Sequence, residues 1–372
     1  MERTVDCVVV GAGAVGLAVT RALARKGLKP LLLERHPDIG HETSSHNSFI
    51  VHSGVLYAPG SVKAQVCVAG RKLLYAFCEE HGVRTKRVGK LFIAIDYGDL
   101  ARLANYRDWA AANGITEVEV ISGEEANKRE PKLRCLQALH SHCSGTVDGP
   151  AFMQALRKDG ERAGAEVRCQ APVLGGTVAG DGFSLEVGGR EPMTVKTRFL
   201  VNSGGIHAPA FSQSLRGLAP ATIPIPRVCK GSYFTIAGPP PFAHAIYPLR
   251  SPTAGTGGGE GECTPHLDGT VSWGPDIQWV DWIDYGVDPS RSSFFYDAIR
   301  RYWPALPDGA LKPAYAGIRP KITGPGEPNH DLLIQDAGVH GIPGLVNLYG
   351  IESPGLTGSM AIADIVAAKL GG

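Results

Sequence analysis

The stretch that most constrains the fold is residues 6–35, DCVVVGAGAVGLAVTRALARKGLKPLLLER. Residues 5–10 are dominated by β-branched apolar side chains, as expected of a strand buried on both faces. Small apolar residues then recur at helical spacing as far as Gly27, which fits the end of a helix. Residues 31–33 predict a second strand. A strand–helix–strand unit of this kind predicts an α/β fold with parallel strands.

Three glycines between the first predicted strand and the helix have the spacing GxGxxG. Gly11 permits a tight turn, Gly13 lets the backbone approach a pyrophosphate, and Gly16 lets the helix pack close to the strand. The free N–H groups at the start of the helix attract phosphate. The sequence therefore predicts a dinucleotide-binding loop, which comprises Gly11, Ala12, Gly13, Ala14, Val15 and Gly16.

An acid closes the second predicted strand. Glu34 lies 18 residues after Gly16, where a carboxylate accepts hydrogen bonds from ribose hydroxyls, and Arg35 follows as a further candidate contact. The motif alone does not choose between NAD and FAD. Its place at the start of the sequence, with no second fingerprint later, favours FAD. NADP is disfavoured because Glu34 would repel its 2′-phosphate.

Composition argues against several classes of protein. Lys+Arg (37) and Asp+Glu (36) nearly cancel, so no nucleic-acid partner is expected. The eight cysteines form no CxxC pair and match no zinc pattern, which predicts no metal site and a reducing compartment. No signal peptide and no apolar run of about 18 residues is present, so we expect no transmembrane segment and a cytoplasmic location. Peripheral contact with a membrane stays open.

Two later segments repeat the order strand, glycine loop, helix. In TRFLVNSGGIHAPAFSQSL the strand is followed by Gly204 and Gly205; in GLVNLYGIESPGLTGSMAIADIVAAKL the loop carries Gly355 and Gly358. We expect both loops to pass close to the same ligand, although a strand–turn–helix without a ligand stays open for the first. The helix that follows Thr357 could stabilise negative charge on a reduced flavin ring.

Residues 220–305 read as a different domain. Strands dominate it, as in GSYFTIAG and GTVSWGP, and proline-rich turns separate them. The stretch TAGTGGGEGE, 253–262, predicts a mobile loop because it is rich in glycine and poor in apolar residues.

The stretch SSHNSFIVHSGVLYAPG, residues 44–60, is too polar for an ordinary core strand and too apolar for an ordinary loop. Together with VVVGAGAVGLAVTRAL and GIESPGLTGSMAIAD it resembles the FAD-dependent oxidoreductases of the D-amino-acid oxidase superfamily. The greatest similarity is to the L-2-hydroxyglutarate dehydrogenase/oxidase branch, whose motifs resemble HNSFIVHSGVLY, GPD (274–276), AGIRPK (316–321) and IESPGLT (351–357). The resemblance covers about residues 4–370.

The resemblance implies an α/β fold with a discontinuous, Rossmann-like FAD-binding domain and a substrate domain built on a mixed or antiparallel sheet. The predicted FAD-binding domain comprises residues 1–87, 148–215 and 315–372, and the predicted substrate domain comprises 88–147 and 216–314. The implied cofactor is FAD. The implied reaction is oxidation of a 2-hydroxy acid, L-2-hydroxyglutarate to 2-oxoglutarate, with a quinone or dioxygen as electron acceptor.

Two other functions stay open at this point. The first is an amino-acid or secondary-amine oxidase, since the superfamily uses one hydride-transfer geometry for both classes of substrate. The second is a non-catalytic protein that binds FAD structurally. The sequence also departs from the branch, because Gly261-Glu262-Cys263 stands where Gly-Val-His is usual. An acid thus replaces a histidine that could meet the second carboxylate of the substrate, unless His266 takes over that role.

The chemistry implied by the resemblance needs a cation for the substrate carboxylate and a base for its hydroxyl. Arg319 in AGIRPK is the candidate for the carboxylate, with Lys321 as the alternative cation, and His52 is the candidate base. Lys230 is expected to face the flavin, with Tyr233 on the same face of the strand. Structural roles stay open for each: a hinge ion pair, a backbone-bonded histidine, a solvated lysine and a core tyrosine.

The remaining candidates would contact the cofactor. The segment before His52 resembles the superfamily segment that runs beneath the flavin ring, and His207 is interpreted only as a helix-start residue. No motif requires covalent attachment of the flavin. Further candidate cofactor contacts are Thr43, Ser44, Ser45, His46, Asn47, Val173, Gly204, Gly205, Gly355, Leu356, Thr357 and Gly358.

Overall fold

A computed structural model describes residues 2–249 and 261–370. Residues 253–260 of the predicted mobile loop lie outside this range, so that prediction stays untested. The strands within the described ranges are β1 Glu2–Val10, β2 Pro30–Leu33, β3 Ile50–Val51, β4 Thr85–Lys86, β5 Lys90–Ala94, β6 Val118–Ser122, β7 Gln137–Ser141, β8 Gly145–Val147, β9 Glu166–Arg168, β10 Val173–Ala179, β11 Gly182–Val187, β12 Met193–Asn202, β13 Leu215–Arg216, β14 Arg227–Thr235, β15 Ala245–Pro248, β16 Cys263–Pro265, β17 Val271–Trp273, β18 Gln278–Val280, β19 Lys312–Lys321, β20 Leu333–Gln335 and β21 Leu345–Tyr349.

Helices follow the glycine loops and cover both sheets. The α-helices of the described residues are α1 Ala14–Arg25, α2 Val62–Glu80, α3 Tyr97–Ala112, α4 Gly123–Arg129, α5 Gly149–Arg162, α6 Ala208–Gln213, α7 Ser292–Arg300, α8 Ala337–His340 and α9 Gly355–Leu370. Helix α2 has a side-chain N-cap, since the Ser61 side chain accepts a hydrogen bond from the Ala64 N–H.

The first sheet has nine strands among the described residues. Its main order is β13-β10-β11-β12-β1-β2-β9, and β21 and β20 extend it beyond the second half of β12. β1, β2, β9, β12 and β21 pair in parallel, as the strand–helix–strand pattern predicts. Because the C-terminal ends of β1 and β12 are adjacent, Gly11 and Gly204 follow them at one edge of the sheet.

One core lies on the face of this sheet that α1, α2, α5 and α9 cover, and a second lies on the opposite face. α2 crosses the start of α9 at close range. A Cβ on Gly70 of α2 would stand 2.5 Å from the Thr357 carbonyl oxygen, so glycine is required at this crossing. The close approach fixes the position of the α9 N-terminus against the rest of the domain.

The second sheet, counted over residues 2–249 and 261–370, also has nine strands and is mostly antiparallel. Its main order is β18-β14-β17-β16-β15-β5-β7-β6, with β19 paired to β14 and one parallel pair, β5 with β15. β3, β8 and β4 form a small third sheet. β19 pairs with β14 along its length, although the predicted domain boundary at 315 divides it. The domain boundaries stay a prediction.

Candidate functional site

A cavity of about 730 Å³ runs from the loop after β1 to the second sheet. Its walls come from all three glycine loops, from residues 40–57 and from strands β14 and β19. A volume of this size fits a ligand larger than an ordinary substrate. The elements predicted to meet at one ligand therefore do meet.

At each of the three glycine positions of the first loop, a different structural feature requires glycine. Gly11 has a positive φ of +99°, and a Cβ there would lie 2.8 Å from the Ser203 carbonyl oxygen. A Cβ on Gly16 would lie 1.9 Å from the Gly11 carbonyl oxygen, and one on Gly13 would lie 2.9 Å from Oγ of Ser44. The loop is therefore packed on both sides, while Gly13 and Gly16 keep their backbone open to the cavity.

Glu34 ties the loop to the end of β2. Its Oε2 accepts a hydrogen bond from the Ala12 N–H at 2.7 Å, and its Oε1 accepts one from the His36 N–H at 2.8 Å. A carboxylate has about four acceptor positions, so two remain for ribose hydroxyls on the cavity side.

Replacing Glu34 by alanine should weaken cofactor binding by about 10- to 100-fold, because the ribose hydroxyls lose a charged hydrogen-bond acceptor worth roughly 1.5–3 kcal/mol. The measurement is fluorescence titration of the apoprotein with FAD. Glu80→Ala, at the exposed end of α2, is the matched control and should bind FAD as the wild type does. Equal affinities for Glu34→Ala and Glu80→Ala would contradict the assignment.

Residues 42–49 cross between the two sheets beside the cavity. Oγ of Ser44 accepts from the Ala14 N–H at 3.0 Å, and Oγ1 of Thr43 donates to the Ile318 carbonyl at 3.1 Å. A Cβ on Gly317 of β19 would lie 2.1 Å from the His46 carbonyl oxygen. The segment is thus fixed to α1 on one side and to β19 on the other.

A carboxylate–imidazole cluster beside this segment escaped prediction. Both carboxylate oxygens of Glu42 lie 3.0 Å from Nε2 of His207, and Oε1 lies 2.9 Å from Nε2 of His36. Burial opposes ionisation of Glu42, but the hydrogen bonds from His207 and His36 outweigh it and lower its pKa to about 2. His207, interpreted from the sequence as a helix-start residue, therefore has a specific ionic partner.

Most predicted cofactor contacts line the cavity, whereas Ala12, Ser45 and Gly358 do not. Ala12 donates its N–H to Glu34, Ser45 donates to the Gly40 carbonyl, and Gly358 packs against α2. The predicted residues that do line the cavity are Gly11, Gly13, Ala14, Val15, Gly16, Glu34, Arg35, Thr43, Ser44, His46, Asn47, Val173, Gly204, Gly205, Gly355, Leu356 and Thr357.

His52 lines the cavity directly after the short strand β3. Its backbone N–H donates to Oγ1 of Thr357 at 3.1 Å, which connects it to the first turn of α9. Nδ1 of its ring lies 3.3 Å from Nζ of Lys90, and Nε2 lies 3.2 Å from Oγ of Ser353. Both ring nitrogens therefore have defined neighbours, which fixes the orientation of the imidazole.

Arg319 of β19 also lines the cavity. Its Nη1 donates to Sγ of Cys229 at 3.3 Å and its Nη2 to the Asp276 carbonyl at 3.0 Å. Among the described residues, 2–249 and 261–370, no carboxylate forms an ion pair with it. Its charge is thus held by neutral groups, and a carboxylate entering the cavity would find a fixed cation.

The prediction that Tyr233 shares a strand face with Lys230 is wrong, because the two are three positions apart and side chains alternate along a strand. Tyr233 lines the cavity and stacks on Tyr315 with ring centroids 4.4 Å apart. Lys230 is absent from the cavity wall, and its Nζ donates to Asp284 at 2.6 Å. Burial raises the pKa of Tyr233 well above its usual range, so its hydroxyl stays neutral.

Two lysines share one carboxylate in the cavity wall. Oε1 of Glu352 accepts from Nζ of Lys63 at 2.9 Å and from Nζ of Lys321 at 2.8 Å. Burial opposes ionisation of Glu352, but the two ammonium groups outweigh it and lower its pKa to about 2. The triad carries one surplus positive charge. Lys321 was the predicted alternative cation, whereas Lys63 and Glu352 were missed.

Replacing Glu352 by glutamine should destabilise the protein at pH 7 by about 3–5 kcal/mol, because two buried ammonium groups lose their counter-charge. Since the folded-state pKa is depressed, the stability that Glu352 contributes is present above about pH 4.5 and is lost as the pH falls toward 2. The difference between wild type and Glu352→Gln should therefore shrink in acid. Urea unfolding from pH 7 to 3 tests this.

Glu124→Gln is the control for that series, since Glu124 forms an exposed pair with Lys128 worth little stability. A Glu352→Gln variant as stable at pH 7 as Glu124→Gln would contradict the role of the triad.

Glu262, at the departure from the implied motif, lines the cavity, whereas His266 does not. Nε2 of His266 lies 2.8 Å from Oγ of Ser272 in the second sheet. His266 is therefore engaged within the second sheet and not at the cavity. Glu262 thus places a buried acid in the cavity wall.

One group outside the cavity has the composition of a metal site. Ligand atoms of Glu119, His140 and His142 lie within 4.8 Å of one another. However, Nη1 of Arg129 lies 2.7 Å from both Oε1 of Glu119 and Nδ1 of His140. A guanidinium thus occupies the space between two of the three donors, and the group is an ion-pair cluster.

Within residues 2–249 and 261–370, none of the helices combines the length and the apolar character that a membrane span requires.

Comparison with known protein families identifies the class of protein to which this fold and cavity belong. Residues 6–369 match the family model described as FAD dependent oxidoreductase, and the chain belongs to this family. Its cofactor is therefore FAD. The glycine loop without room for side chains, the acceptors left on Glu34 and the cavity that reaches the second sheet all fit this dinucleotide.

Individual proteins are similar in sequence to nearly the whole of this chain. The chain is 38% identical to "L-2-hydroxyglutarate dehydrogenase, mitochondrial" from Arabidopsis thaliana, over 99% of this chain and 84% of that protein. It is 26% identical to "L-2-hydroxyglutarate dehydrogenase" from Escherichia coli K12, over 98% of this chain and 93% of that one.

Solved structures support the fold class. An FAD-bound L-alpha-glycerophosphate oxidase from Mycoplasma pneumoniae superposes with a TM-score of 0.86 at 22% identity, covering 100% of this chain and 95% of that one. A glycine oxidase from Geobacillus kaustophilus gives 0.79 at 19% identity, covering 99% and 95%. The predicted α/β fold with a Rossmann-like FAD-binding part and a mixed second sheet is confirmed.

Proposed function

We propose that the protein oxidises L-2-hydroxyglutarate to 2-oxoglutarate. The observation that carries the proposal is the guanidinium of Arg319, which lines the FAD cavity. Among the described residues it donates hydrogen bonds only to a thiol and a backbone carbonyl. A fixed fork of N–H donors suits the α-carboxylate of a small acid. The relatives named L-2-hydroxyglutarate dehydrogenase supply the particular acid.

Three side chains of the cavity wall divide the work. Arg319 binds the α-carboxylate, and His52 takes the proton of the C2 hydroxyl at Nε2, the ring nitrogen near Ser353. Tyr233 supplies a neutral wall beside Arg319, since burial raises the pKa of its hydroxyl well above its usual range. When bound, FAD supplies the hydride acceptor. Lys230 supports β14 through Asp284 and does not contact substrate.

The charge of the cavity also favours an acid as the substrate. The Lys63–Glu352–Lys321 triad contributes one surplus positive charge in addition to Arg319. A dicarboxylate gains from both cations, whereas the ammonium group of an amino acid would be repelled by them. Glu262 is the exception in this wall and sets which substrates are accepted at the second-sheet end.

A substrate panel tests the proposal against its alternatives. Purified holoprotein is incubated with L- and D-2-hydroxyglutarate, L-glutamate, L-proline and glycine, and products are measured as 2-oxo acid and ammonia or imine. The proposal predicts 2-oxoglutarate from the L-hydroxy acid alone. Ammonia or an imine as main product would establish an amine oxidase, and no turnover of any acid would favour a non-catalytic flavin protein.

We propose a quinone or dioxygen as the electron acceptor, and these are separated by comparing turnover in air with turnover on a quinone analogue without oxygen. We also propose a cytoplasmic location, with peripheral membrane contact as an alternative. The eight cysteines are free thiols in the structure, which fits a reducing compartment.

A further inference from the structure

The Lys63–Glu352–Lys321 triad lies in the same cavity wall as Arg319. Lys321 follows Arg319 by two positions on β19, so the two side chains leave the same face of the strand. Lys63 is the second residue of α2, and Glu352 lies just before α9. Each member of the triad is more than nine-tenths buried and lines the cavity. Three separate elements therefore bring charged side chains to one place in the wall.

The two ammonium groups of the triad keep N–H donors that point to no protein acceptor. An ammonium has three N–H donors. Lys63 uses one of them on Oε1 of Glu352, whereas Lys321 uses two, on Oε1 of Glu352 and on Oδ1 of Asn329. Within the part of the chain that the structure describes, two donors of Lys63 and one of Lys321 remain. An anion that enters the cavity would satisfy these donors and meet the surplus positive charge.

The segment between β19 and β20 holds both lysines in place. Asn329 accepts from Nζ of Lys321 at 2.6 Å. Asp331 accepts from the Val62 N–H at 2.6 Å and from the Lys63 N–H at 2.9 Å, so its charge is directed to the N-terminus of α2. The positions of both ammonium groups are thus set before a ligand arrives, which lowers the entropy cost of binding one.

We propose that the triad binds the distal carboxylate of the substrate while Arg319 binds its α-carboxylate. This inference rests on the proposed function. Alternate residues of a strand lie about 6.6 Å apart, and the carboxyl carbons of an extended 2-hydroxyglutarate lie roughly 5 Å apart. The spacing of Arg319 and Lys321 therefore suits the two ends of this acid. When ionised, Glu262 has only acceptor oxygens and offers no donor to a carboxylate. The triad, and not position 262, makes the site selective for a dicarboxylate.

The net charge of the triad should set the preference for a dicarboxylate. The preference is measured as kcat/KM for L-2-hydroxyglutarate divided by kcat/KM for L-2-hydroxypentanoate, which lacks the distal carboxylate. Lys63→Met makes the triad neutral and should lower this ratio by about 10²-fold, with little change for the monocarboxylate. Adding Glu352→Gln to Lys63→Met leaves Lys321 charged beside a neutral amide. The surplus positive charge then returns, and most of the lost preference should return with it.

Lys72→Met, at an exposed position on α2, is the control and should keep the wild-type ratio. Flavin content and melting temperature show whether each variant keeps its fold. A wild-type ratio in Lys63→Met would overturn the inference. So would an equal loss of activity on both acids, or a lost preference that Glu352→Gln does not restore, because either result makes the triad a structural ion pair or a contact of the flavin.

Binding of glutarate tests the inference without turnover and without any variant. Glutarate has both carboxylates but no hydroxyl to oxidise, and pentanoate has only one carboxylate. Calorimetric titration of the wild-type holoprotein should show glutarate bound about 10²-fold more tightly than pentanoate. Equal affinities for the two acids would overturn the inference. If glutarate is preferred but no 2-hydroxy acid is oxidised, the proposed function fails and the dicarboxylate site stands.

Discussion

Arg319→Ala should raise KM for L-2-hydroxyglutarate by about 10²- to 10³-fold, the largest effect on binding that the structure predicts. Removing one partner of a desolvated, hydrogen-bonded charge pair costs about 2–5 kcal/mol, and each 1.4 kcal/mol is about tenfold in affinity. Arg319→Lys should recover only part of the loss, because an ammonium keeps the charge but not the planar fork of donors. Steady-state kinetics with both variants measures the effect.

Arg227→Ala is the matched control, since Arg227 is exposed at the start of β14, the strand that pairs with β19. Flavin content and melting temperature show whether each variant keeps its fold. A wild-type KM in Arg319→Ala would remove Arg319 from carboxylate binding and leave Lys321 as the cation to test.

His52→Asn should lower kcat by about 10²- to 10⁴-fold, the range that a positioned general base contributes. FAD content should stay unchanged, because the side chain of His52 contacts Lys90 and Ser353, and its backbone N–H to Thr357 is retained. The acid limb of the kcat/KM pH profile should disappear with the imidazole. Stopped-flow reduction over a range of pH separates this step from reoxidation.

His142→Asn serves as the control, since His142 lies exposed in the ion-pair cluster of the second sheet. An unchanged pH profile of kcat/KM in His52→Asn would rule out the base role. It would then leave His52 as a residue that orders the segment between β3 and α2.

The sequence predicted those parts of the site that depend on a short, local pattern of residues. The phosphate loop follows from GxGxxG between a buried strand and a helix, and Glu34 follows from its spacing. Both depend on contacts within one strand–helix–strand unit, and their placement in the structure matches the prediction. The return of two later glycine loops to the same cavity follows from the rule that parallel strands end at one edge.

The parts that sequence missed are pairs of residues far apart in the chain. Glu352 meets Lys63 across 289 positions and His207 meets Glu42 across 165. No periodicity links such residues, because the contact depends on how α2, α9 and β19 pack. Lys90 was missed for a different reason. The first residue of an apolar strand gives no sign in the sequence that its side chain turns inward toward an imidazole.

Strand β14 shows how the alternation of side chains decides which residue can reach the cavity. Lys230 and Tyr233 lie on opposite faces, so only Tyr233 reaches the cavity. The alternation of side chains along a strand was by itself sufficient to assign these two residues to opposite faces. Glu262 differs, because the sequence marks it only as part of a departure from the implied motif, while its place in the cavity wall required the folded second sheet.

The most direct test of the central claim is anaerobic titration of the oxidised holoprotein with L-2-hydroxyglutarate, followed by absorbance of the flavin. The account predicts full bleaching, with one 2-oxoglutarate formed per flavin reduced and no bleaching by the D-enantiomer or by L-glutamate. A flavin that stays oxidised with L-2-hydroxyglutarate, or that is reduced by L-glutamate with release of ammonia, would contradict it.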